Sequence, residues 1–175
     1  MVQPIAAPRA AVLEAVADPA LYESMGSIPN IGQPQVLDSS TRDSRTDLRI
    51  RYRFVGNLSR AARAVLDPDK LTWVIALEVD THEGRAKFTM LPDHYADRLE
   101  CSGSYDFEAK GESTEQVMDG EMRVHAPVVA GLVERAIVMG LREHMVEEAK
   151  VIERFVKDET ETKQEHGEQQ KQEKQ

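Results

Sequence analysis

Thr46-Asp47-Leu48-Arg49-Ile50-Arg51-Tyr52-Arg53-Phe54-Val55 decides the fold, because Leu48, Ile50, Tyr52 and Phe54 are apolar while Asp47, Arg49, Arg51 and Arg53 between them are charged. A period of two places alternate side chains on opposite faces, so the stretch predicts a strand that is dry on one side and wet on the other. Such strands belong to antiparallel sheets with one solvated face.

Working outward, the same alternation returns at Trp73, Ile75, Leu77 and Val79, and again at Leu99, Cys101, Gly103, Tyr105 and Phe107. Weaker strands fit Gln33 to Arg42, Gly84 to Leu91 and Ser113 to His125, where Met118, Met122 and Val124 share a face. Short turns join them at Asp43-Ser44, His82-Glu83-Gly84, Pro92-Asp93 and Lys110-Gly111-Glu112, so six strands form an antiparallel meander. One connection is longer: Ser59 to Leu66 reads as a helical turn or two, capped by Ser59 and closed by Asp67-Pro68.

Before the meander, Val2 to Ala7 reads as a short strand and Pro8 opens a helix carrying Val12, Leu13, Val16 and Ala17. Asp18 caps a second short helix with Pro19 in its first turn and Leu21, Tyr22 and Met25 buried. After the meander, Pro127 opens a helix that runs to about Lys157 and lines up Ala130, Val133, Ile137, Gly140, Leu141, Val151, Ile152 and Phe155 on one face. That face needs an apolar partner, which the sheet supplies. From Glu159 to Gln175 no apolar side chain occurs, so residues 159–175 are expected to be a disordered polar tail and residues 1–158 one domain.

The chain has 175 residues, 41% hydrophobic and only 5% aromatic, which suits one largely aliphatic core. Lys and Arg number 22 against 31 Asp and Glu, a net charge of −9 without a basic block. Nucleic acid is therefore not expected as a partner, since that affinity comes from clustered cations. No stretch reads as a signal peptide or a membrane span. With Cys101 as the single cysteine no internal disulfide can form, and a cytoplasmic location is the expectation. Oligomeric state has no sequence signal.

The order strand, two short helices, six antiparallel strands and a long helix resembles the helix-grip fold of the START-like (SRPBCC) superfamily, which includes birch-pollen-allergen-like proteins, polyketide cyclases and coenzyme Q-binding proteins. Ile5-Ala6-Ala7-Pro8 through Val16-Ala17-Asp18 looks like the opening of such domains. Leu71-Thr72-Trp73-Val74, Ser102-Gly103-Ser104-Tyr105 and Arg123-Val124-His125-Ala126-Pro127-Val128-Val129-Ala130-Gly131 are similar to a branch known only as a domain of unknown function. The resemblance implies an α+β domain in which a curved sheet of about seven strands wraps the last helix and leaves an apolar cavity for a lipid, sterol, polyketide or quinone-like molecule. Tyr52, Phe54, Trp73, Ile75, Leu77, Tyr105 and Phe107 from the sheet would line it, facing Val133, Ile137, Gly140, Leu141 and His144 from the helix. Ordinary core packing is the competing reading for each apolar member.

Three polar groups compete for chemistry. His144 and Glu148, four apart, fall near the centre of the helix's apolar stripe; a buried pair there could bind a ligand hydroxyl or carbonyl, or move a proton. The other reading, slightly favoured, has the helix past the sheet edge by then and the pair solvated. Asp93-His94-Tyr95-Ala96-Asp97-Arg98 holds residue types a cyclase or dehydratase uses, at a turn where polar residues come freely. Arg49, Arg51 and Arg53 are expected on the outer sheet face, paired with acids such as Glu78. His125 reads as a packing or capping residue and Cys101 as a small buried hydrophobe. His82, His94, His125, His144 and His166 lack metal-ligand spacing, so no metal and no cofactor are expected. Binding of a small hydrophobic molecule is thus the leading expectation, with a cyclase using the same cavity and a filled interaction domain as alternatives.

Overall fold

The alternation at residues 46–53 folds as read: in the computed structural model, which describes residues 1–58, 60–64, 66–125 and 130–172, Thr46, Leu48, Ile50 and Tyr52 are buried and the residues between them are exposed. In chain order the elements are β1 (Val2–Ile5), α1 (Arg9–Ala17), α2 (Pro19–Glu23), β2 (Gln35–Arg42), β3 (Arg45–Arg53), α3 (Arg60–Arg63), β4 (Thr72–Asp80), β5 (Arg85–Pro92), β6 (Leu99–Lys110), β7 (Ser113–Val124) and α4 (Ala130–Gln172), with 3₁₀ turns at Met25–Ser27 and Pro68–Lys70. The strands make one antiparallel sheet in the order β1-β7-β6-β5-β4-β3-β2. This is the helix-grip arrangement, a seven-stranded curled sheet plus a C-terminal helix.

Register carries the inward parity across the sheet. Leu48, Ile50 and Tyr52 of β3 stand opposite Leu77, Ile75 and Trp73 of β4, which in turn face Phe88, Met90 and Pro92 of β5. On the next pair Cys101, Gly103 and Tyr105 of β6 oppose Met122, Gly120 and Met118 of β7. Two glycines meeting across a ladder let the backbones crowd there: a Cβ on Gly103 would strike the Asp119 carbonyl oxygen and lie 2.8 Å from Phe88 Cε1. At Gly84 the reason is conformational, with φ at +72° in the turn that precedes β5.

The N-terminal helices cover one end of the concave face. Asp18 caps α2 by accepting the Ala20 N–H at 2.8 Å, with Pro19 in the first turn. Arg9 of α1 reaches over the sheet and donates to the Phe107 carbonyl at 2.7 Å, and Thr114 donates to the Ala7 carbonyl at 2.7 Å in the buried core. Ile5, Val12, Leu21, Met25, Leu48, Ile50, Val79, Ala86 and Ile152 are all but sealed from solvent.

Helix α4 is held at two points. Glu153 accepts the Ala6 N–H at 2.7 Å, while Glu134, near the opposite end of the packed part, accepts the Val124 N–H at 3.0 Å. Close backbone contacts of α4 are with α1, α2, β1 and β7, and Met145, Ala149, Val151 and Ile152 form its packed half. Between the two ties the ring of His144 meets that of Tyr52 on β3.

Two expectations change. The polar segment from Glu159, expected to be disordered, continues α4 as helix to Gln172; Glu, Gln and Lys are good helix formers, and Lys157 pairs with Glu161 one turn on at 3.8 Å. The outer arginines do not pair with Glu78: Arg51 meets Asp93 at 3.1 Å and Arg53 meets Asp69 at 3.6 Å, both at strand ends, because Glu78 sits opposite Asp47 and Lys87. Of the connection read as helix from Ser59 to Leu66, α3 forms at Arg60–Arg63, while the Ser59 cap and the Pro127 opening of the last helix lie outside the described residues. Among the described residues no helix is long and apolar enough to cross a membrane, and no three His, Cys, Asp or Glu gather to hold a metal.

Candidate ligand site

The open end of the sheet, where β4 starts, β5 ends, β6 starts and β7 ends, forms a pocket of about 130 Å³ under α4. Its walls are nearly all apolar: Trp73, Met90, Leu99 and Val124 come from the strands, Leu66 and Leu71 from the connection that precedes β4, and Ile137 from the helix. The inward parity of each strand puts these residues there, so the pocket is the continuation of the core pattern to a place where no side chain fills the space.

Its rim is polar. His94, Tyr95 and Arg98 border the pocket, so the turn at residues 93–98 does reach the site, although Asp97 is exposed. Tyr95 has φ at +61°, a left-handed conformation unfavourable for an aromatic residue. Its hydroxyl accepts the Asp67 N–H at 3.1 Å and the Arg98 guanidinium lies 5.7 Å over its ring. Those contacts tie the β5–β6 turn to the segment after α3 and fix the rim.

From the pocket an aromatic floor leads inward. Trp73 stacks on Tyr52 at 6.0 Å between ring centroids, and the Tyr52 ring takes the edge of His144 at 6.4 Å. Past Tyr52 the helix places His144 and Glu148 over the sheet, overturning the solvated reading: His144 Nδ1 and Glu148 Oε2 are sequestered and have no hydrogen-bond partner, as has Gln116 Oε1 on β7. The spacing left this open because it shows that the two share a face but not where the sheet ends.

Burial pushes the Glu148 carboxyl up from its ordinary value, partly offset by His144 and by the Gln116 amide. Gln116 acts here by facing the carboxylate, since no hydrogen bond of standard geometry joins them. Tyr22, Tyr52 and Tyr105 surround the same space; burial raises all three phenols and the Glu148 charge raises them further. Tyr22 donates its hydroxyl to the Val16 carbonyl at 2.7 Å. His144 and Glu148 keep some accessible surface as whole residues.

The expected lining divides accordingly. Trp73 and Ile137 line the pocket and Tyr52 continues it, while Ile75, Tyr105 and Leu141 are half-buried against the core. Leu77 and Phe107 are buried in the core away from the pocket. Phe54 is half-buried beyond the end of β3, bridged to Ile31. A Cβ at Gly140 would meet nothing within 4 Å, and the Val133 side chain lies outside the described residues. Sequence reasoning missed Leu71, Met90, Leu99, Val124 and Gln116; extending the parity of Trp73 and Leu99 along the ladders, and noting a polar residue at an inward position of Ser113 to His125, would have found them. His125 is exposed and its backbone N–H donates to the Arg98 carbonyl at 2.8 Å. A groove of about 160 Å³ between α1 and the distal part of α4, walled by Glu14, Asp18 and Phe155, lies outside this hollow.

Solved structures share the frame. A protein from Thermus thermophilus, TTHA0849, superposes with a TM-score of 0.63 at 20% identity, covering 89% of this chain and 94% of that one. The Zhui aromatase/cyclase from Streptomyces gives 0.58 at 14%, covering 89% and 93%. Norcoclaurine synthase from Thalictrum flavum gives 0.60 at 15%, covering 89% and 83%. At these identities the likeness is one of fold, which does not fix a ligand or a reaction. No curated protein is similar to the chain by sequence. The family described as protein of unknown function (DUF2505) matches residues 1–156. With a helix-grip fold, the chain is a member of the DUF2505 family.

Proposed function

We propose that the protein binds a small hydrophobic molecule between the sheet and α4. The observation that carries this reading is the apolar pocket of about 130 Å³ with Trp73 and Ile137 in its walls, Trp73 in turn being stacked on Tyr52. Burial of apolar surface supplies the affinity, at about 25 cal/mol per Å² removed from water. The volume narrows the ligand. Pockets for drug-sized molecules usually span roughly 300–1,000 Å³, whereas a cavity of about 150 Å³ admits a benzene-sized ring. A ring system with little bulk fits the pocket as it stands; a sterol or long lipid requires α4 or the segment after α3 to move.

A second reading, acid–base chemistry on the bound molecule as in a cyclase or dehydratase, draws on His94 and Tyr95 at the rim. The small volume favours a third, a protein-interaction domain with a filled core. Titration with a panel of ring compounds, followed by Trp73 fluorescence and melting temperature, separates these readings. The ligand-binding proposal expects saturable quenching or enhancement together with a rise in melting temperature. Absence of any response across the panel overturns it and favours the interaction domain; conversion of a bound compound favours the enzyme.

A further inference from the structure

Three polar atoms without hydrogen-bond partners converge in the interior from facing elements: Gln116 Oε1 from β7, and His144 Nδ1 and Glu148 Oε2 from α4. Buried polar atoms are nearly always paired, so a cluster of orphans calls for a partner that the chain does not itself supply. The Gln116 amide faces the Glu148 carboxyl, yet Gln116 Oε1 and Glu148 Oε2 stay unpaired. Tyr22 of α2 commits its hydroxyl to Val16, and among the described residues Tyr52 of β3 and Tyr105 of β6 contribute rings rather than a hydrogen bond to Glu148. Among the described residues no Lys or Arg is buried. Gln116 Oε1 and an ionised Glu148 oxygen can only accept, and His144 Nδ1 takes either role according to its tautomer. Among the described residues no donor meets any of the three atoms.

We infer that Gln116, His144 and Glu148 are the polar anchor of the hollow and take the hydrogen-bond donor, a hydroxyl or an ammonium group, of a ring-bearing molecule whose apolar body lies along the Tyr52–Trp73 floor. The inference rests on the ligand-binding reading above and gives it a substrate class. A purely apolar molecule would leave all three atoms unpaired, so the anchor selects against it.

Isothermal titration of the full chain with a naphthol, an aminomethylnaphthalene and a methylnaphthalene tests this, because the three share one apolar body and differ in the donor. At least one donor compound is expected to bind about tenfold or more tighter than the methylnaphthalene, the gain typical of a hydrogen bond to a charged group. Which one gains tells a neutral donor from a cationic one. In Glu148→Leu, or in Gln116→Leu should the first variant fail to fold, the preference is expected to fall to about twofold or less with methylnaphthalene affinity little changed. Equal affinities for all three, or a preference that survives both variants, overturns the anchor while leaving the hollow intact. Failure of the methylnaphthalene and both donors to bind overturns the hollow and the anchor together.

Discussion

Replacing Glu148 by leucine is expected to stabilise the ligand-free protein, and the size of the gain can be worked out from its surroundings. The substitution keeps the approximate volume on a face flanked by Met145, Ala149 and Ile152 and removes an oxygen that has no partner. An unsatisfied buried polar atom costs about 1–3 kcal/mol. Because Glu148 retains some accessible surface, the lower part of that range applies, about 1–2 kcal/mol. For a chain of this length each kcal/mol moves the melting temperature by roughly 2–4 °C. The pH dependence has a definite sign. Burial raises the carboxyl in the folded state, so the native chain holds the proton more tightly than the unfolded one, and this contribution to stability is fully present below the unfolded value of about 4.3. It is lost as pH rises through the raised folded value. The advantage of Glu148→Leu is therefore expected to be small near pH 4 and to reach its full size above the folded value. Thermal melts of both proteins, stripped of ligand by refolding from denaturant and followed at several pH values, measure it. A variant that melts below the parent by the same margin at every pH would refute the reasoning, since Glu148 would then be a satisfied group.

Other outcomes follow from single contacts. Gly103→Ala sets a methyl against the Asp119 carbonyl and 2.8 Å from Phe88 Cε1, so the denaturant midpoint is expected to fall by the equivalent of about 1–3 kcal/mol with the slope unchanged. Ile137→Trp fills the pocket from the helix side; ring-compound affinity is expected to drop about tenfold or more, while the melting temperature stays within a few degrees, because the site is not part of the packed half of α4. Cys101 is buried and burial raises its thiol, so a thiol reagent is expected to modify it slowly in native protein and promptly in guanidinium, at one thiol per chain.

The frame was legible because its signals are local. The alternation at residues 46–53 reports both strand and facing, and Asp18-Pro19 marks the start of α2 by cap chemistry. The site was legible only in part, because it is assembled from distant segments. Trp73 and Ile137 could be placed by period and helical spacing, yet the pocket also needs Leu66, Leu99 and Val124 from three other places in the chain, and only the curl of the sheet brings them together. Glu148 shows the limit most plainly. Its position on the inner stripe of α4 follows from the helical spacing, but its place beside Tyr22, Tyr52 and Tyr105 from α2, β3 and β6 is contained in no sequence window. The tail from Glu159 was misjudged for the opposite reason: composition excludes a packed core but does not exclude a helix built from Glu, Gln and Lys.

Diffraction from crystals held under xenon pressure tests the central claim most directly, because xenon occupies apolar space that protein leaves empty. A xenon peak is expected under α4, in contact with Trp73 and Ile137. A map with no xenon there, and with those two side chains packed against each other, would contradict it.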